Sequence, residues 1–198
     1  MTRSGAFGLG AALVSVLAPV RASATPLDRP VNPDTPYHLF AGFGLGRGIR
    51  FNNPYRLRTE LGSDAESLSL TAPYADVQLG ALLGSARPFS HGVSLHASFA
   101  LEGVPQEVLT PSYQFLYRPV PRWGVTARAG VPIVVEPDLN AGFELAAGGL
   151  FFATAGVAVS ASLVGSLFYG AATLDTPRTA IPIVSAELAV IYDFEGFL

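Results

Sequence analysis

Alternation of apolar with polar or small residues is the feature that most constrains how this chain can fold. Successive side chains of a β-strand point to opposite faces, so a repeat of two residues predicts a strand with one apolar face. In the last such segment, Glu187 and Asp193 lie on the face opposite to Leu188, Val190 and Tyr192. The pattern predicts eight strands, at residues 37–51, 74–84, 93–102, 112–118, 124–133, 141–153, 157–171 and 183–194.

The composition indicates where the apolar faces of these strands point. Hydrophobic residues make up 49% of the chain and charged residues only 14%, which leaves little charge to cover the exterior of a soluble domain. Many of the predicted strands approach the roughly 9–11 residues that a tilted transmembrane strand needs, and an even strand number suits a closed barrel. The predicted fold is therefore all-β: an eight-stranded antiparallel up-and-down transmembrane β-barrel. We expect the barrel to be a monomer.

The N-terminus has the pattern of a secretory signal peptide. Arg3 precedes an apolar run from Ala6 to Val20, and small residues follow at Ala22 and Ala24. The run is shorter than the roughly 20 residues that a membrane-spanning helix needs. We predict a cleaved signal peptide at 1–24, a periplasmic segment at 25–36 and a barrel at 37–198, located in the bacterial outer membrane.

Two other architectures compete with the outer-membrane barrel. Residues 145–174 contain no charged residue, so their length alone would allow a membrane-spanning helix; the glycines and the alternation in this stretch argue against it. A soluble β-barrel with a bound ligand would instead turn its apolar face inward and its polar face outward. The polar faces of this chain carry too few charges for that exterior.

Several chemistries are excluded or left without support by the composition. The chain has no cysteine, so a disulfide, a thiolate nucleophile and a zinc–thiolate site are impossible. Its formal charge of −3 and its scattered arginines offer no basic stripe for nucleic acid. The three histidines have no metal-ligand spacing, and we expect no cofactor and no metal.

The chain resembles the small eight-stranded outer-membrane barrels, the group that includes the OmpA transmembrane domain and OmpX. The resemblance rests on the signal peptide, on the GFGLGRG segment at 42–48 and on the aromatic-ended last strand at 187–194. It implies that the barrel assembly machinery reads the last strand during insertion. The chain departs from the group because Glu195 to Leu198 follow Phe194, where many members end on an aromatic residue.

The inward faces carry ionisable groups that an eight-stranded barrel must accommodate, because its interior is only wide enough for side chains. Arg128 and Glu144 lie on neighbouring predicted strands, and Glu187 is within reach across the lumen. We predict a buried ionic network, since an unpaired buried charge is costly. Its predicted members are Arg128, Glu144, Glu187, Arg118, Glu102 and His96. Asp76, Gln78 and Gln114 are predicted to face the lumen with them.

Glycines and aromatic residues complete the pattern. Gly42, Gly44, Gly46 and Gly48 alternate on the inward face of the first strand, where they would leave space for large side chains. Aromatic residues near strand ends are predicted to face the lipid interfaces: Tyr37, Tyr74, Tyr113, Trp123, Tyr169, Tyr192 and Phe194.

The sequence favours a structural, envelope-integrity or surface-interaction role over catalysis. Its expected partners are outer-membrane lipid and lipopolysaccharide, with no nucleic acid. One alternative is a conduit for small apolar solutes. A second is a lipid acyl hydrolase, because His96 and Ser98 with Glu102 resemble the His, Ser and Glu set of outer-membrane lipid A deacylases.

Overall fold

A computed structural model describes residues 37–51, 69–84, 88–137, 139–154, 156–171 and 179–195. The predicted signal peptide and periplasmic segment lie outside these residues. The regular elements in the described ranges are all β-strands, listed here in chain order: β1 Tyr37–Arg50, β2 Ser69–Leu70, β3 Tyr74–Leu83, β4 Phe89–Ala100, β5 Glu107–Val120, β6 Trp123–Gly130, β7 Ile133–Glu136, β8 Asn140–Phe152, β9 Val157–Ala171 and β10 Thr179–Glu195.

The strands form one antiparallel sheet that closes on itself. Sheet neighbours run β1, β3, β4, β5, β6, β8, β9 and β10, and β10 returns to β1 with Phe40 opposite Asp193 and Gly46 opposite Glu187. The short β2 pairs with β1 beyond the end of β3, and β7 continues β6 between β5 and β8. The sheet is therefore an eight-stranded barrel, and the predicted fold class is confirmed.

The segment that competed as a membrane helix is extended. Residues 145–152 belong to β8 and residues 157–171 to β9, and Ala147 and Gly149 pair there with Leu163 and Ala161. Within the described ranges, no helix has the length and apolarity to cross a membrane. The helical alternative is wrong for the part of 145–174 that is described.

The outer face of the barrel wall is apolar and the inner face carries polar side chains, as predicted for a membrane protein. The outward side chains of β10 include Leu188, exposed to 65%, while Glu187 beside it is exposed to 5%. The same division holds on β4, where Val93 and Leu95 are exposed and His96 is buried. An apolar outside and a polar inside is the reverse of a soluble β-barrel, so the soluble alternative is wrong.

The lengths of the connections between strands indicate which end of the barrel faces the periplasm. The end that holds the start of β1 carries short turns, such as 121–122 between β5 and β6 and 153–156 between β8 and β9. Residues 51–73 connect β1 to β3 at the other end. Because outer-membrane barrels have short periplasmic turns and longer extracellular loops, the first end is called periplasmic here and the second extracellular.

Candidate functional site

The lumen is the candidate site, and it is layered. At the periplasmic end an apolar layer, closed around Phe40 and Phe152, fills the interior; its members are Phe40, Leu82, Leu116, Leu150, Phe152, Ala158 and Ile191. A second apolar cluster lines one side of the extracellular half and consists of Val108, Val134, Phe168, Ile181 and Ile183. Polar and charged side chains occupy the middle, and apolar residues enclose these central groups on the periplasmic side. A second ionisable pair lies at the periplasmic end itself, where His38 Nδ1 is 3.6 Å from Asp193 Oδ1.

Asp76 of β3 and His96 of β4 form the most deeply buried polar pair, each with 1% of its side chain exposed. Asp76 Oδ2 lies 2.9 Å from His96 Nδ1, and Ser98 Oγ donates to Asp76 Oδ1 at 2.7 Å. Both carboxylate oxygens of Asp76 therefore have a partner. The alternation of β3 and β4 produces this arrangement, because Asp76 is directly opposite Ser98 and His96 is opposite Gln78.

Arg128 of β6 lies between this pair and Glu144 of β8. Its Nε and Nη2 donate to Glu144 Oε1 at 3.3 and 3.0 Å, and Ser166 Oγ donates to Glu144 Oε2 at 3.0 Å. Arg128 Nη1 also lies 3.3 Å from His96 Nδ1. His96 Nδ1 can donate a hydrogen bond to Asp76 when it carries the proton, and it can accept one from Arg128 when it does not. It therefore bonds to only one of these two residues at a time. The structure thus brings Arg128, Glu144 and His96 together.

Glu187 faces the same space from β10 with weaker contacts. Tyr74 Oη lies 3.5 Å from Glu187 Oε2, which is beyond the usual length of an O–H···O hydrogen bond. The Tyr74 ring lies over Gly46, where any Cβ would overlap it. Gly42 similarly faces the side chain of Gln78, and Gly44 faces Glu187. The glycine row of β1 makes room for large inward side chains, as predicted.

The prediction for Tyr74 itself is wrong. We expected its ring on the lipid side, but it points into the lumen against Gly46 and Glu187. Tyr74 has the same place in the alternation of β3 as the buried Asp76 and Gln78, so the alternation alone predicts an inward-facing ring. Our prediction relied on the preference of aromatic residues for the ends of membrane strands, and that preference does not determine which face a side chain occupies.

Two predicted members of the ionic network lie elsewhere. Glu102 follows the end of β4 at Ala100, and its exposed carboxylate lies 3.7 Å from the outward-facing Arg47. Its placement in the lumen is therefore wrong, because strand parity does not extend past the strand. Arg118 is on the inward face but at the periplasmic end, where its guanidinium stacks 3.6 Å above the Phe152 ring and donates to Pro121 O. It caps the apolar layer.

The predicted hydrolase residues do not have a hydrolase arrangement. A serine nucleophile needs its hydroxyl hydrogen-bonded to a histidine that acts as base, but Ser98 donates to Asp76 instead. Glu102 is outside the lumen, and the two other candidates, His96 and Ser98, face inward to Asp76, away from lipid. Among the described residues, no group of three or more acidic or histidine side chains could hold a metal ion.

A cavity of about 100 Å³ lies above the central charges, on their extracellular side. Its lower lining includes Tyr74, Arg128, Glu144 and Glu187, and Arg50 lines it from β1. The remaining lining residues come from inward strand faces and from the segments between strands: Thr71, Ala72, Ser98, Ala100, Gln106, Val108, Thr110, Pro132, Val164, Ser166, Phe168, Ile183 and Ser185. The lumen therefore holds a chamber with both apolar and polar walls, above the central charges and the apolar layer.

Aromatic side chains cluster on the outside of β4, β5, β6 and β8, between the middle of the barrel wall and its periplasmic end. Trp123, exposed to 58%, has its ring centroid 5.0 Å from that of Phe151. On the next part of the wall, Tyr113 Oη lies 2.7 Å from His91 Nδ1, and Phe115 packs on Tyr113 with centroids 5.0 Å apart. Aromatic girdles of this kind mark the lipid interface of transmembrane barrels.

Comparison with known proteins gives a fold and no closer relationship. The search of protein families found no matching model, and the search of curated proteins found no match. Among solved structures, the attachment invasion locus protein Ail of Yersinia pestis superposes with a TM-score of 0.52 at 9% identity, over 80% of this chain and 98% of that one. The chain has the fold of the small outer-membrane β-barrels.

Two further solved structures share this general shape at lower similarity. The N-terminal β-barrel domain of Pseudomonas aeruginosa OprF has a TM-score of 0.48 at 13% identity, covering 78% of this chain and 97% of that chain. Neisserial surface protein A has a TM-score of 0.47 at 10% identity, with coverage of 78% and 97%. A closed barrel with an apolar exterior is a form in which β-proteins cross a bilayer. The protein is therefore an integral barrel of the bacterial outer membrane.

Proposed function

We propose that the protein is a non-conducting, non-enzymatic outer-membrane barrel with a structural or surface-interaction role in the cell envelope. One observation carries the proposal: the periplasmic end of the lumen is filled by the apolar layer around Phe40 and Phe152. Phe152 is exposed to only 2% and Leu82 to 4%. Ions and polar solutes would have to cross this packed layer at high cost, so the barrel serves as an anchored scaffold.

The proposal includes the partners expected for such a scaffold. The barrel acts as a monomer, its exterior contacts outer-membrane lipid and lipopolysaccharide, and its last strand engages the barrel assembly machinery during insertion. Support comes from the outward apolar side chains of β10, including Val184, Leu188 and Tyr192. The loops at the extracellular end would supply contacts with other surfaces.

Reconstitution into a planar bilayer tests the absence of conduction. Folded wild-type protein, checked by the faster migration of unboiled samples on gels, should give no stable conductance steps in molar salt. A matched variant with Phe40→Ala, Leu150→Ala and Phe152→Ala removes most of the apolar layer and should pass water and small ions. Regular conductance steps from the wild type, equal to those of the variant, would show that the proposal is wrong.

A deletion strain tests the envelope role separately. Loss of the protein should raise sensitivity to bile salts and to large hydrophobic antibiotics, and the wild-type gene should restore resistance. The variant Ser98→Ala should restore resistance equally and leave lipid A acylation unchanged, because no hydrolytic step is involved. A change in acylation on deletion that Ser98→Ala fails to reverse would instead establish the hydrolase alternative.

A further inference from the structure

The chamber above the central charges is small, and its volume limits what it can hold. An engineered cavity of about 150 Å³ in a protein core binds benzene, a molecule of six non-hydrogen atoms. The chamber measures about 100 Å³, so on the same scale it holds roughly four non-hydrogen atoms. A solute bound in the chamber can therefore be no larger than acetate.

Arg50 lines the chamber with an unused hydrogen-bond donor. It lies on the inward face of β1 near the extracellular end and is directly opposite Ile183 of β10. Its Nε is buried and has no hydrogen-bond partner in the part of the chain that the structure describes. A buried donor without an acceptor is costly, so an anion at this position would stabilise the barrel.

Glu187 at the floor of the chamber has partners of its own. Tyr74 Oη donates to its Oε2 at 3.5 Å, and the charge of Arg128 attracts it. Glu187 is paired in the sheet with Gly46, four residues before Arg50 on β1. Four residues correspond to about 13 Å between backbone positions, so Glu187 does not act as the counter-ion of Arg50.

Glu144, the other carboxylate at the floor, is also engaged elsewhere. It accepts hydrogen bonds from Arg128 and Ser166. The register places it in the same cross-strand row as Arg50 but three strands away, on β8, which corresponds to about 14 Å around the wall. Within the described ranges, Arg50 therefore has no carboxylate at ion-pair distance.

The wall beside Arg50 is apolar. Ile183, Phe168 and Val108 belong to one apolar cluster and line the chamber together. Because such a wall lowers the local dielectric constant, it strengthens the attraction between a guanidinium and an anion. The planar guanidinium also matches a carboxylate with two parallel hydrogen bonds. This part of the chamber therefore suits a carboxylate with a very short apolar tail.

We propose that the chamber binds a small monocarboxylate, formate or acetate in size, with its carboxylate on the guanidinium of Arg50 and any methyl group against Ile183 and Phe168. A neutral molecule of the same size leaves Arg50 without a counter-ion, and a bulkier carboxylate exceeds the volume of the chamber. This site goes beyond the scaffold role, which needs no ligand, and a failure to bind would leave that role unchanged.

The Nε–H resonance of Arg50 in a nitrogen–proton correlation spectrum tests the proposal on the full mature barrel in detergent micelles. At constant ionic strength, acetate should shift this resonance along a saturating curve, with a dissociation constant on the order of millimolar for so small a ligand. Acetamide has the size of acetate without its charge and should produce no saturating shift. Trimethylacetate has the charge and three additional methyl groups, and should bind at least tenfold more weakly.

The Nε–H of Arg47 is the control within the same spectrum, because Arg47 faces outward and donates to Thr71 O. It should not follow the acetate curve. Four results would overturn the proposal: no saturating shift of the Arg50 resonance at about 100 mM acetate, an equal response to acetamide, equal affinity for trimethylacetate, or the same curve at Arg47.

Saturation transfer from the barrel to the methyl protons of acetate extends the test to variants. Arg50→Gln should weaken binding at least tenfold, and Arg50→Lys, which keeps the charge without the planar donor pair, should weaken it less. Arg47→Gln is the matched control and should bind acetate like the wild type. Gel mobility of unboiled samples shows which variants are folded. If Arg50→Gln fails to fold, Arg50→Lys and the wild-type titrations decide. A loss with Arg47→Gln as large as with either Arg50 variant would contradict the site.

Discussion

The guanidinium of Arg128 and the carboxylate of Glu144 meet 3.0 Å apart inside the barrel, from strands that are direct neighbours in the sheet. Their side chains are 11% and 9% exposed, so water screens the pair only weakly. Ser166 Oγ donates to Glu144, and His96 Nδ1 lies 3.3 Å from Arg128 Nη1. The pair joins β6, β8, β9 and β4 through side chains, in addition to the backbone ladder.

Arg128→Ala should destabilise the barrel strongly, because it leaves Glu144 buried without its cation. Removing one partner of a buried pair typically costs about 3–5 kcal/mol. The free energy of unfolding can be measured by guanidinium titration in lipid vesicles. Arg47→Ala, which removes an exposed arginine from an ion pair with Glu102, should change stability by less than about 1 kcal/mol. Equal losses in the free energy of unfolding for Arg128→Ala and Arg47→Ala would show that the buried ion pair stabilises the barrel no more than the exposed one.

Gly46→Ala should be destabilising because its methyl group would overlap the ring of Tyr74. Overpacking of this kind costs roughly 1–3 kcal/mol. Gly149→Ala is the matched control, since Gly149 faces outward with no atom within 4 Å of an added Cβ, and it should be neutral or slightly stabilising. Tyr74→Ser combined with Gly46→Ala should recover part of the loss. No recovery in the double variant would mean that the ring is not the source of the cost.

Phe152→Ala should weaken the apolar layer and also remove the surface on which Arg118 stacks. Truncating a buried phenylalanine costs about 3–5 kcal/mol. Phe151→Ala changes the neighbouring residue, which faces outward and is 36% exposed, and should cost clearly less. Unfolding midpoints of the two variants under identical lipid conditions provide the comparison, and a larger loss for Phe151→Ala would reverse the assigned faces.

Trp123 should report the periplasmic interface. It is the single tryptophan of the chain and opens β6 on the outward face. Lipids brominated near the headgroup should quench its fluorescence more than lipids brominated deep in the acyl chain. A chain with Trp123→Phe and Leu163→Trp, which moves the fluorophore to the middle of β9, should show the opposite order. Stronger quenching of Trp123 by lipids brominated deep in the acyl chain would show that this residue lies in the bilayer core and not at the interface.

Alternation located the strands and their faces, because parity depends on the local backbone. It assigned inward positions correctly to Asp76, His96 and Arg128. It did not reveal that Asp76, rather than Glu102, is the acid beside His96, since that depends on where β4 ends and on its register with β3. The chamber beside Arg50 was also missed. Its existence depends on distances across the barrel, which follow from strand stagger and tilt and leave no periodic signal.

The apolar layer around Phe40 and Phe152 has a kinetic consequence for anything that occupies the chamber. In the proposed non-conducting barrel, a chamber closed towards the periplasm exchanges its contents only on the extracellular side, so its occupancy follows the composition outside the cell. Filling and emptying it dissipates neither an osmotic difference nor an ion gradient across the outer membrane.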